Sequence, residues 1–152
     1  MSDTQCTEAI AVSFLQAELL KQGFEVSKPI RDNGIDLIVY QVQTAPFTAL
    51  PLQVKSYTGA GFIADKRYAL KPGILMVYIW YAWDNPRYFL LTYDESVDFL
   101  RNIGDALNSK EWNEKGSYSR TGTSTSKLTD KQIEIFEDYE NRWSWLRNRL
   151  RV

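Results

Sequence analysis

The sequence predicts an α+β fold in which a central mixed β-sheet is flanked by helices. Residues 4–22 show the apolar periodicity of an amphipathic helix. Residues 24–57 contain alternating apolar positions separated by turn signals, and residues 74–81 form an apolar run that fits a strand buried on both faces. Because 152 residues are enough for a sizeable core, we expect residues 1–152 to form one domain.

The first predicted element is a helix over residues 4–22. Val12, Leu15 and Leu19 form its apolar stripe, and Gly23 is a residue at which helices commonly end. Glu8 lies four residues before Val12 and seven before Leu15, so it extends the core-facing stripe. We therefore expect the Glu8 carboxylate to point toward the sheet.

A meander of three strands is expected after this helix, at residues 24–29, 35–42 and 50–57. The turn Asp32-Asn33-Gly34 separates the first two strands, because asparagine and glycine tolerate positive φ. Side chains alternate along a strand, so Asp36 faces away from its two apolar neighbours. On the next strand, Gln53 and Lys55 share the face opposite to Leu52 and Val54.

The rest of the chain is predicted to add two strands and two helices. The strands are expected at residues 74–81 and 88–93, after a looser glycine-containing stretch, and Asp94 is expected to cap a helix to about residue 102. Residues 104–128 are expected to be irregular. Thr129 and Gln132 have the spacing of a capping box, which predicts a helix to about Arg149. Its core-facing side carries Ile133, Phe136, Trp143 and Leu146.

The composition excludes several kinds of site. The chain contains no histidine, which excludes Ser-His-Asp and Cys-His catalysis and histidine metal sites. Cys6 is the one cysteine and has no internal disulfide partner, which favours a reducing compartment. No stretch is long and apolar enough to span a bilayer, and acidic Asp3 and Glu8 stand where a signal peptide has basic residues. We therefore expect a cytoplasmic protein with no membrane partner.

An acid, an amide and an amine are predicted to converge on one face of the meander. Asp36 begins one strand and meets Gln53 and Lys55 on the next. Two carboxylates, Asp36 and Glu8, with the Gln53 amide oxygen suit Mg²⁺, and the Lys55 ammonium is placed to orient or deprotonate a metal-bound water. The alternatives are a structural Asp36–Lys55 salt bridge, a Gln53 hydrogen bond within the sheet, and a Glu8 that only complements the helix dipole.

These residues together resemble the PD-(D/E)XK nuclease superfamily, which has the restriction-endonuclease fold. The resemblance rests on Gly34-Ile35-Asp36 and Gln53-Val54-Lys55, preceded by a helix that carries Glu8, and it covers about residues 8–57. Two positions depart from the pattern: Gln53 stands at an acidic position, as in the superfamily's Gln-x-Lys variant, and Ile35 stands where the family has proline. Residues 8–93 are expected to hold the motif core, and residues 104–152 the C-terminal irregular segment and helix.

The resemblance implies an endonuclease that hydrolyses phosphodiester bonds of double-stranded DNA. Asp36 and Glu8 would bind Mg²⁺, with Mn²⁺ as a substitute, Gln53 and the Val54 carbonyl would complete the metal shell, and Lys55 would serve the attacking water. The small size also resembles that of the bacterial homing endonucleases encoded in group I introns. Cutting both strands implies a homo-oligomer, either a dimer or a tetramer.

Basic residues close to this patch or in the Ser/Thr-rich segment are the candidates for contacting DNA phosphates. They are Arg31, Lys66, Arg67, Lys71, Arg120 and Lys127. The residues leave other functions open: a Holliday-junction resolvase, an Mrr-like restriction nuclease, a non-catalytic DNA-binding module that kept the fold, or a protein-interaction domain.

Overall fold

The chain folds into a central five-stranded sheet, a separate two-stranded sheet, and helices on both sides of the central sheet. The structure, a computed structural model, describes residues 4–31, 33–43, 45–121 and 127–151. The α-helices are α1 (Thr4–Lys21), α2 (Tyr93–Leu100), α3 (Asp130–Phe136) and α4 (Trp143–Arg149). The strands are β1 (Glu25–Ser27), β2 (Leu37–Tyr40), β3 (Ala49–Ser56), β4 (Phe62–Asp65), β5 (Leu75–Trp80), β6 (Arg87–Thr92) and β7 (Ser117–Arg120).

The central sheet is mixed, as predicted, and has the strand order β1-β2-β3-β5-β6. Strands β1, β2 and β3 form the expected antiparallel meander. Strand β5 is parallel to β3, and β6 is antiparallel to β5. The connection between the parallel strands contains β4 and a 3₁₀ helix, Lys66–Leu70. Strand β4 pairs with β7 outside the central sheet.

Each face of the central sheet covers its own hydrophobic core. On one face, Leu75, Val77 and Ile79 of β5 pack in a cluster that includes residues of α1 and α4. On the other face, the alternate residues Met76, Tyr78 and Trp80 pack with aromatic side chains of β4, α2 and α3. All six residues of β5 are buried, which confirms a strand covered on both faces.

The small sheet was missed by the sequence analysis, and its two strands lie far apart along the chain. Residues 62–65 were assigned to a looser stretch and residues 117–120 to an irregular segment. Each strand has four residues, and the pairing joins Phe62 to Arg120. Short strands with a distant partner carry little local signal. Residues 104–128 also contain a 3₁₀ turn, Ala106–Asn108, and a π-helical turn, Glu111–Lys115.

The predicted helix from Thr129 to about Arg149 is wrong, because the chain breaks between α3 and α4. The capping box at Thr129 and Gln132 is present. Asn141, however, has a φ of 55°, its amide donates to the Tyr88 carbonyl, and Glu140 forms a β-bridge to Phe89. The chain thus crosses the edge of the sheet beside β6.

The two halves of this region consequently pack on opposite faces of the sheet. Phe136 belongs to one core, whereas Trp143 and Leu146 belong to the other. The predicted single face with Ile133 therefore does not exist.

A second correction concerns the start of α2. Thr92, rather than Asp94, is its N-cap, and it forms a capping box with Glu95. Both residues are polar and stand at the start of the same helix, but only the hydroxyl at position 92 reaches the Glu95 amide, at 3.1 Å. In the described part of the chain, the helices are too short or too polar to cross a membrane.

Candidate active site

Asp36 lies directly before β2 and is held opposite Gln53 of β3. The strand register pairs Leu37 with Leu52, and the Asp36 amide donates to the Leu52 carbonyl at 2.8 Å. The Val54 amide in turn donates to Asp36 Oδ2 at 2.7 Å. Asp36 therefore contacts the residues on both sides of Gln53, which is the placement that side-chain alternation predicted.

Gln53 carries a buried hydrogen-bond acceptor, the side-chain oxygen Oε1. The residue is 7% exposed, and within residues 4–31, 33–43, 45–121 and 127–151 no donor forms a hydrogen bond with its Oε1 atom. Leaving a buried acceptor unsatisfied costs about 1–3 kcal/mol, so such an atom calls for an explanation. The neighbouring strand does not explain it: the residue opposite Gln53 on β5 is Met76, and a methionine side chain has no hydrogen-bond donor.

Lys55 follows two positions later, on the same face of β3 as Gln53. It is half-buried, and its Nζ lies 5.4 Å from the centroid of the Tyr68 ring. A Cβ at Gly34 would lie 3.7 Å from Tyr68 Cε1. Since Gly34 is two residues before Asp36, the Tyr68 ring lies close to both Lys55 and the turn that leads into Asp36. The three predicted residues Asp36, Gln53 and Lys55 therefore lie around one end of the β2–β3 pair.

Neutral tyrosines line the sheet beside Lys55. Tyr78 of β5 is its partner in the strand register, and burial raises the pKa of Tyr78 well above its usual value. Burial also raises the pKa of Tyr57, which lies two residues after Lys55. The Tyr78 hydroxyl donates to the Ile63 carbonyl at 2.7 Å. Neither phenol is suited to act as a base at neutral pH.

Glu8 reaches the same region from α1. It shares a cavity of about 380 Å³ with Asp36. Glu8 is exposed rather than core-facing. The buried stripe of α1 begins at Thr7 and continues through Ala11 and Leu15, and Glu8 lies at the margin of this stripe.

The wall of this cavity does not include Gln53, Val54 or Lys55. Asp36 is the residue that links the cavity to β3.

The donors at this site are all oxygen atoms. Among the described residues, no three histidine, cysteine, aspartate or glutamate side chains form a group that could hold a metal ion. The predicted set contains two carboxylates and one amide, and oxygen donors of this kind are those that Mg²⁺ prefers. Gln53 Oε1 accepts no hydrogen bond from the described residues, and it suits a cation better than it suits an apolar sheet.

The six predicted DNA-contacting residues fall into two groups. Arg31 lines the cavity of Glu8 and Asp36, Lys71 Nζ donates to the Asn33 carbonyl, and Arg67 Nη2 donates to the Tyr68 hydroxyl at 3.1 Å. Lys66, Arg120 and Lys127 line other cavities. The structure therefore places Arg31 and Lys71 next to the loop before Asp36, and Arg67 on the 3₁₀ helix beside Tyr68.

Two further residues at the site were not singled out from the sequence. Lys28 lines the cavity together with Arg31. The sequence pattern that could have indicated Lys28 is this pair of basic residues just before the Asp32-Asn33-Gly34 turn. Tyr68 is buried, with 3% exposure. Its position between two basic residues, Arg67 and Lys71, is the one local sign of a role beside Lys55.

The overall arrangement of elements has a counterpart among solved structures. The fold is similar to that of a bacterial homing endonuclease, I-Ssp6803I. The comparison covers 98% of this chain and 94% of I-Ssp6803I, with a TM-score of 0.59 and 16% sequence identity. At that identity, the similarity to I-Ssp6803I is evidence about the fold. No protein-family model matches the sequence, and no curated protein matches it.

Proposed function

We propose that the protein is a metal-dependent endonuclease that hydrolyses phosphodiester bonds of double-stranded DNA at a specific site, as a homing endonuclease of the PD-(D/E)XK type. The observation that carries the proposal is the buried Gln53 Oε1, unpaired among the described residues and opposite the Asp36 carboxylate. The fold similarity to I-Ssp6803I supports the same function. The half-buried Lys55 on the same face supplies the amine that the Gln-x-Lys pattern requires.

The roles of the residues follow from their chemistry. Asp36 and Glu8 would hold Mg²⁺, with Gln53 Oε1 and the Val54 carbonyl as further oxygen donors, and Mn²⁺ would be an acceptable substitute. An ion held by these residues would supply Lewis acidity and would favour deprotonation of the attacking water. Lys55 orients the attacking water and offsets the charge that develops on the phosphate. Hydrogen bonding from the Val54 amide fixes the orientation of the Asp36 carboxylate.

Basic side chains around the site would bind the DNA backbone. Arg31 and Lys71, next to the loop before Asp36, and Arg67 on the 3₁₀ helix would contact phosphates near the cut. Lys66, Arg120 and Lys127 would contact the duplex farther away. One site cuts one strand, so a double-strand break requires a homo-oligomer, a dimer or a tetramer. Light scattering at two protein concentrations measures the subunit number.

The test is cleavage of a library of randomised DNA duplexes in Mg²⁺. We expect the wild-type protein to release fragments with 5′-phosphate and 3′-hydroxyl ends from a subset of sequences, and EDTA to stop the reaction. Lys55→Ala and Asp36→Ala should abolish cleavage and retain most of the DNA affinity. Lys21→Ala, at the exposed end of α1, and Asp84→Ala, on an exposed turn, are the matched controls. Wild-type rates in either Lys55→Ala or Asp36→Ala would show the mechanism to be wrong.

A second candidate function is supported by Gln53 itself. An amide at a position where the family has an acid removes one unit of charge from the metal site, as expected for a DNA-binding module that no longer cuts. Salt-dependent DNA binding that is insensitive to EDTA, with no product in Mg²⁺ or Mn²⁺, would favour this function.

A further inference from the structure

The Tyr68 ring lies close to Lys55, to Arg67 and to the turn that contains Gly34. Tyr68 belongs to the 3₁₀ helix Lys66–Leu70, which begins directly after β4. The Asp65 side chain caps this helix by accepting from the Arg67 amide at 3.0 Å, and Tyr68 is 3% exposed. The position of the ring is therefore fixed by both a cap and the surrounding core.

Two cationic groups approach this ring. Lys55 Nζ lies 5.4 Å from the ring centroid, and the Arg67 guanidinium carbon lies 5.0 Å from it. Both distances are within the range in which a cation is attracted by the ring quadrupole. Arg67 Nη2 also donates to the Tyr68 hydroxyl at 3.1 Å. The ring interacts with the Lys55 ammonium through its π-system, and its hydroxyl serves Arg67.

The same ring lies close to the turn before Asp36. A Cβ at Gly34 would lie 3.7 Å from Tyr68 Cε1 and 2.8 Å from Lys71 Cε. Gly34 has a φ of 78°, so the backbone at this position favours glycine. The close approach keeps the Asp36 loop against the 3₁₀ helix. Tyr68 thereby connects Lys55 of β3 with the segment that carries the metal-binding carboxylate.

We propose that Tyr68 is a positioning residue for the cleavage reaction, in that its ring holds the Lys55 ammonium at a fixed place relative to Asp36. This inference rests on the proposed nuclease function. A lysine side chain has four flexible bonds and loses considerable entropy when it is held in one place. An aromatic face provides a directional attraction that an aliphatic side chain of similar volume lacks. Because reaction rates depend steeply on the geometry of the reacting groups, a loosely held Lys55 slows the chemical step.

Two substitutions distinguish the contribution of the Tyr68 ring from that of its hydroxyl. Tyr68→Phe keeps the ring, and Tyr68→Leu removes it. Under single-turnover conditions with saturating DNA, we expect Tyr68→Leu to slow cleavage about tenfold, which corresponds to about 1.4 kcal/mol, and Tyr68→Phe to retain the wild-type rate. DNA affinity should change little in Tyr68→Leu. Tyr88→Leu is the matched control for lost packing, because Tyr88 is also buried, at 7% exposure, but lies in the core on the other face of the sheet.

A measurement without DNA tests the contact itself. In a protein with labelled lysine side chains, the Lys55 Hε resonances should be shifted upfield by the Tyr68 ring, and Lys55→Met identifies them by their disappearance. Tyr68→Phe should keep the shift and Tyr68→Leu should lose it. Equal rates in wild type and Tyr68→Leu, equal losses in Tyr68→Leu and Tyr68→Phe, or an Hε shift that survives in Tyr68→Leu would each overturn the inference. Absence of cleavage by the wild type would instead contradict the proposed function, while the resonance test of Tyr68 would still hold.

Discussion

Replacing Gln53 by methionine is expected to stabilise the metal-free protein and to abolish cleavage. Gln53 Oε1 is buried and unpaired among the described residues, which costs about 1–3 kcal/mol of folding free energy. Methionine has a similar volume and no acceptor that needs a partner, and volume-conserving swaps cost less than about 1.5 kcal/mol. The net gain is about 1 kcal/mol, or a rise in Tm of about 2–4 °C for a chain of this size.

The assay is urea and thermal unfolding in EDTA, followed by the same measurements in excess Mg²⁺. The ion should stabilise the wild type and have less effect on Gln53→Met, because a ligand of the folded state stabilises it in proportion to its affinity. Gln16→Met, at a partly exposed position of α1, is the control and should change stability by less than about 0.5 kcal/mol. A Gln53→Met protein that is less stable than wild type in EDTA would refute the reasoning, since it would mean that Oε1 is satisfied in the apo protein.

Three further predictions concern metal binding at Gln53, protein stability at alkaline pH, and the backbone conformation of Asn141 between α3 and α4. Gln53→Glu should preserve the geometry and alter the Mg²⁺ or Mn²⁺ dependence of cleavage, and an unchanged metal titration would count against Gln53 as a metal ligand. Burial raises the pKa of Tyr78, so above about pH 10 the unfolded chain loses a proton that folded Tyr78 keeps, and this residue alone should lower stability by up to about 1.4 kcal/mol per pH unit. Burial raises the pKa of Tyr57 and Tyr88 as well, so urea unfolding between pH 9 and 11 should show a slope that Tyr78→Phe reduces without abolishing it. At Asn141, with its φ of 55°, valine should lower stability by about 1–2 kcal/mol while glycine has little effect, so equal unfolding curves for the two variants would argue against a required left-handed backbone.

The meander and the site within it could be predicted because their signals are local. Apolar alternation and the Asn33-Gly34 turn gave the order and facing of the strands, and the facing alone placed Asp36 opposite Gln53. Lys55 shares the Gln53 face for the same reason. These inferences require only residues that are close together in the chain and the alternation of side chains between the two faces of a strand.

The missed features depend on contacts between distant parts of the chain. Strands β4 and β7 pair over a separation of more than fifty residues, and neither has a strong strand pattern. The break at Asn141 forms because Glu140 and Asn141 bond to β6, while the local pattern from Thr129 onward favours a continuous helix. Tyr68 reaches Lys55 through the packing of a 3₁₀ helix against β3, which periodicity does not reveal.

The crossing of the chain beside β6 also has a consequence for the exposed edge of the central sheet. Strand β6 is the last strand of the central sheet, and an open border of this kind invites a strand from another molecule to continue the ladder. Here the Glu140 bridge occupies that border, and Arg87 is tied to Glu140 and Glu137 by contacts of 2.7 and 2.8 Å. Continuation of the sheet by a strand from another molecule is thus obstructed at Phe89, in the middle of β6.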